Sequence, residues 1–154
     1  MLFAPAYHAL REQALKLDTA ALGAGHGGVF GVLGEFGFPQ GVATVVALGD
    51  GTVSVYFSGG GGSLGLGQHE GPRKAAEALL EEAPSALPLA AKDPALPLPQ
   101  AGEVRFWFLT AGGPVTVAAS EAELAAGTSP MTKLHGLLHD LLTQIRTTGQ
   151  AGRN

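Results

Sequence analysis

Cysteine is absent from the 154 residues, which excludes disulfides, thiolate metal centres and cysteine nucleophiles and fits a reducing compartment. Charge is scarce. Asp, Glu, Lys and Arg make up 14% of the chain, and the net charge of -4 is not gathered into runs of one sign. Nucleic acids and anionic membrane surfaces are held by clustered Lys and Arg, so neither is an expected partner. Long apolar runs are missing as well. Stretches such as 36–49 are broken by Gly and Pro and are too short to span a bilayer. The start MLFAPAYHAL lacks the basic opening and apolar run of a secretory signal, its first basic side chain being Arg11. The expected location is the cytoplasm, with no cofactor.

What is present in quantity is apolar: 45% of residues are hydrophobic, and 24 glycines and 10 prolines punctuate them. That balance specifies a compact core, not disorder. The abundance of Ala, Leu, Gly and Pro beside few Asn and Lys fits the coding bias of a GC-rich bacterial genome. One α+β domain is expected over 1–149, with a flexible tail at 150–154 and a Pro-rich crossover at 84–102.

Phe3, Tyr7, Leu10, Ala14, Leu17 and Ala21 recur at helical steps and predict an amphipathic helix that stops at Gly23. Gly28, Gly31, Gly34 and Gly37 follow at every third residue. Glycine disfavours a helix there, and the aromatic and β-branched residues between predict a central strand that another element can approach closely. The β-branched runs 42–48 and 52–58 meet at Gly49-Asp50-Gly51 and predict a hairpin, with Asp-Gly supplying positive φ. Pro72 opens a helix through Ala83. Half of the prolines then fall in 84–102, which predicts extended backbone without regular structure. Pro94 and Pro97 have PxxP spacing, although a surface crossover is the plainer reading.

A second hairpin is predicted from Glu103–Thr110 and Pro114–Ser120. A capped turn from Ser120 to Gly127 and a leucine-striped helix begun at Ser129-Pro130 follow. The order α-β-β-β-α-β-β-α thus predicts a five-stranded antiparallel sheet with three main helices. In plan this resembles profilin-like and roadblock or longin-type domains, a likeness of element order that implies a scaffolding role.

Three groups of residues are candidates for function. Gly60, Gly62 and Gly65 satisfy G-x-G-x-x-G between a strand and a helix, so Gly60, Gly61, Gly62, Ser63 and His69 could cradle an anion. Arg73 and Lys74, unfavourable in a first helical turn, would then be its counter-charges. The implied partner is a phosphate-bearing small molecule; the plainer reading is a surface loop. His135 and His139 sit one helical turn apart and could share a metal with His26 or His69. Arg146 on the same flank and the lack of an HExxH base favour ordinary helix-flank histidines. Tyr56, Trp107 and Leu109 put apolar surface on one sheet face, which is either an interface for a homodimer or protein partner or is covered by the chain itself. No G-x-S-x-G elbow or paired carboxylate points to catalysis. The expected function is a non-catalytic, self-associating or partner-binding module, the alternative being a phosphate-ligand binder at Gly59–Gly67.

Overall fold

The computed structural model describes residues 4–23 and 25–151. Helix α1 (Pro5–Leu15) leads into strands β1 (Gly31–Phe38), β2 (Gly41–Leu48), β3 (Val53–Phe57) and β4 (Gly62–Ser63). Helix α2 (Glu70–Glu82), strands β5 (Glu103–Thr110) and β6 (Gly113–Ser120), and helices α3 (Glu121–Ala126) and α4 (Thr132–Ala151) complete the order. The strands form one antiparallel sheet in the order β4-β3-β2-β1-β5-β6. The sheet has six strands where the sequence predicts five. The extra strand is the two-residue β4, hidden in the glycine loop: positive φ at Gly60 and Gly61 turns the chain back so that Ser63 pairs with Val55 and Gly62 with Tyr56. Two residues carry no periodic signal.

Both sheet faces are covered. On one, α2 and α4 bury Leu79, Leu80, Leu134, Leu138 and Leu141 against Val32, Phe36, Val55, Phe106 and Phe108. A Cβ at Gly34 would overlap Leu138, so the glycine lets α4 settle onto the middle of β1. On the other face, α1 and the segment carrying Leu96 and Leu98 lie over Leu33, Val46, Tyr56, Trp107 and Leu109. The glycines of β1 thus admit close neighbours on both sides, since a Cβ at Gly37 would overlap the backbone of Gln100.

Several predicted boundaries shift for local reasons. The first helix ends at Leu15, because Asp18 caps a separate 3-10 turn (Thr19–Leu22), its carboxylate accepting from the Ala20 N–H at 3.0 Å. Its buried side is Tyr7, Arg11, Ala14 and Leu15, and Phe3 lies outside the described residues. In the β2–β3 turn only Gly51 has positive φ; Asp50 instead accepts from the Thr52 N–H at 3.0 Å. A 3-10 helix, Ala83–Leu89, replaces the start of the expected irregular crossover, running on directly from α2. Of the expected tail, 150 and 151 belong to α4 and 152–154 lie outside the described residues. No helix among the described residues is long and apolar enough to cross a membrane.

Candidate functional site

The glycine loop and the α2 N-terminus do not converge. Gly60, Gly61, Gly62 and Ser63 line an apolar hollow of about 290 Å³ with Ala6, Tyr7 and Leu10 of α1, and none of His69, Arg73 or Lys74 reaches it. His69 is the N-cap of α2 without a side-chain capping bond. Lys74 pairs with Glu70 at 2.8 Å on the exposed first turn, which supplies locally the negative charge that the helix terminus favours. Arg73 lines a different hollow beside His26, Glu77 and Glu81, where two carboxylates oppose an anion.

Tyr56, Trp107 and Leu109 lie beneath α1, with Trp107 fully buried, so of the two readings of this face it is coverage by the chain itself that the structure has. The reason is a polar hub absent from the candidates above. Glu35, on β1, is 0% exposed and each of its oxygens accepts twice. Arg11 donates from Nε at 2.7 Å and from one terminal nitrogen at 2.9 Å. Trp107 Nε1 donates at 2.9 Å and Thr44 Oγ1 at 2.7 Å. With the Thr44 hydrogen committed to Glu35, the Tyr7 hydroxyl donates to Thr44 across 2.7 Å. Burial, and then the Glu35 charge, push the Tyr7 hydroxyl up to about 12. Arg11 also donates to the carbonyls of Leu96 and Pro97, each at 3.0 Å, which ties the crossover segment to α1. A carboxylate saturated in this way has no lone pair left for acid–base work.

The hub fixes the path of α1 over the sheet. Ala4 N–H donates to the Ser58 carbonyl, Tyr7 meets Thr44 on β2, and Arg11 meets Glu35 on β1, so the helix steps across three strands. That path leaves a groove of about 460 Å³ where α1 has moved away from β3. Leu10, Ala14 and Leu17 form one wall, Val46, Leu48 and Tyr56 the floor, and Leu64 the rim. Leu64 also borders the hollow at the glycine loop and is 67% exposed, a leucine standing as a ridge between two apolar depressions. No residue of the groove was singled out for this from sequence except Tyr56; the glycine-rich loop carries two leucines, of which Leu66 is buried and Leu64 exposed, and the sequence does not tell them apart.

His135 and His139 do converge, with Nε2 atoms 3.1 Å apart and rings nearly perpendicular at 82°. Phe36 backs both rings, its centroid 5.6 Å from His139 and 6.3 Å from His135. Burial first, and then the neighbouring His139, hold His135 below the ordinary imidazole range. Among the described residues no three His, Asp or Glu side chains are grouped to hold a metal, so neither His26 nor His69 completes a triad with the pair.

Comparison with protein-family models, with curated proteins and with solved structures gives no match.

Proposed function

We propose that this chain is a non-catalytic self-associating module, forming a two-fold dimer in which Leu64 of each copy enters the groove beside α1 of the other. The observation that carries the reading is the exposed Leu64 set next to apolar hollows of about 460 and 290 Å³. A two-fold interface must be self-complementary, and a projecting leucine beside an apolar hollow with room for it meets that requirement on a single patch. Burying one such side chain is worth about 1.5–3 kcal/mol, and the two-fold axis doubles it. The sheet edge at β4 adjoins the patch and adds backbone groups of a two-residue strand to the surface. The likeness in plan to profilin-like and roadblock or longin-type domains supports the same scaffolding role.

Sedimentation equilibrium over a wide concentration range tests the reading. The wild-type chain is expected to dimerise and Leu64→Asp to remain monomeric, with the wild-type unfolding midpoint at protein concentrations too low for dimers, since the side chain contributes little to the monomer and association stabilises only the folded dimer. A wild-type chain that stays monomeric at the highest concentrations would overturn self-association. The alternative reading, a phosphate-bearing ligand at Gly59–Gly67, requires Arg73 and Lys74 to swing towards that loop. A rise in unfolding temperature with inorganic phosphate, removed by Arg73→Ala with Lys74→Ala, would favour it.

A further inference from the structure

We propose that His135 and His139 form a two-nitrogen binding site for a divalent transition-metal ion of the copper, nickel or zinc class on the outer flank of α4. Their spacing of one helical turn places both rings on one flank, and the structure brings the two Nε2 atoms to 3.1 Å. An ion bonded to both at 2.0–2.1 Å would subtend an N–metal–N angle of about 95–102°, between the right angle of tetragonal sites and the wider tetrahedral one. The separation of the two nitrogens therefore already suits a shared ion, and binding asks for a shift of one ring proton and a turn of the rings that aims both lone pairs at it. In the unliganded pair one Nε2 donates to the other; on binding, the donor ring carries its hydrogen on Nδ1 instead, and both lone pairs face the ion. No net proton need leave.

Two features hold the rings ready. Buried Phe36, on the central strand β1, backs both imidazoles, and α4 beneath them is anchored by buried Leu134, Leu138 and Leu141. A ligand pair already held together has less rotamer freedom to lose on binding. Imidazole nitrogens select copper, nickel and zinc over magnesium and calcium, which prefer oxygen. The cations on the same helix do not block the site: Lys133 is engaged with Glu82 at 2.8 Å, and Arg146 is an exposed side chain two turns beyond His139. With two protein ligands the remaining positions are left to water, so the site belongs to the weaker, exchangeable class and not to structural zinc centres with four protein ligands.

The absence of cysteine makes the test clean, because no thiolate competes for the ion in the folded or the unfolded chain. Tag-free protein is titrated with copper(II), nickel(II), zinc(II) and, as a control, magnesium(II), with histidine ring signals followed by NMR. Paramagnetic copper is expected to broaden His135 and His139 before His8, His26 and His69. Affinity is expected to fall in the order copper, nickel or zinc, magnesium, and His139→Gln to weaken copper binding about tenfold or more. Equal broadening of all five histidines, or unchanged affinity in His135→Gln with His139→Gln, would overturn the assignment. Both variants change side chains on the helix flank, and a far-UV spectrum matching wild type confirms that the readout reports binding and not unfolding.

Discussion

Replacing Glu35 by Gln is the sharpest perturbation of this fold. The side chain keeps its volume, so no cavity forms, and what changes is charge and donor pattern. Arg11 becomes a buried cation without its counter-ion, and the new amide nitrogen must face two of the four donors that now surround a carboxylate. Removing one partner of a buried ion pair costs about 3–5 kcal/mol, a large part of the 5–15 kcal/mol that holds a typical domain folded. For a chain of this length each kcal/mol lowers the unfolding midpoint by about 2–4 °C, so Glu35→Gln should fall by about 6–20 °C. The single tryptophan is itself a hub member and is fully buried, which makes its emission in a urea titration a local reporter, with far-UV dichroism as the global one. Arg11→Met completes a double-mutant cycle, and the two changes should couple by up to about 3 kcal/mol because each relieves the other's stranded charge. A Glu35→Gln protein within about 1 kcal/mol of wild type would refute the reasoning, since Arg11 would then have to reach water with little cost.

Further outcomes follow from single atoms. With the Tyr7 hydroxyl at about 12 in the folded chain and near 10 when unfolded, its contribution to stability is intact below about pH 10 and is lost as pH rises through about 12. Urea midpoints measured from pH 9 upward should therefore decline more steeply for wild type than for Tyr7→Phe, and parallel declines would contradict it. Gly37→Ala should cost about 1–3 kcal/mol, because its Cβ meets the Gln100 backbone, which cannot rotate away. Gly59→Ala, whose Cβ meets nothing, should stay within about 0.5 kcal/mol by the same denaturation assay.

Periodicity made the hairpins, the leucine stripe of α4 and the capped turn at Ser120 legible, since each rests on short-range rules: alternation, helical spacing, a hydroxyl accepting from Glu123. It also showed that Tyr56, Trp107 and Leu109 put apolar surface on one sheet face, to be covered by a partner or by the chain itself. What covers it was not legible, because the pairing of Arg11 with Glu35 joins residues 24 positions apart and neither stands out alone. An arginine in an amphipathic helix reads as its wet side; here it is buried, and the expected stripe of α1 is rotated to admit it. The glycine loop shows the opposite case. Its spacing fits an anion cradle, yet the turn spends its positive φ angles on folding back along β3, and the counter-charges of α2 end up elsewhere.

The hub also bears on association, although it does not touch the groove. Contacts at Ser58, Thr44 and Glu35 pin α1 on its path across the sheet, and the groove exists because the helix is held away from β3 over its second half. An apolar hollow beside a helix would otherwise tend to close, since sliding α1 towards Val46 and Tyr56 would bury more apolar surface within one chain. Breaking the Arg11–Glu35 pair removes the restraint that opposes this slide. A hub variant that remains folded should therefore lose self-association together with Leu64→Asp, although it alters no residue of the groove wall, floor or rim. If Glu35→Gln dimerised as wild type while unfolding at lower temperature, the hub would serve stability alone and the groove would be open for a different reason.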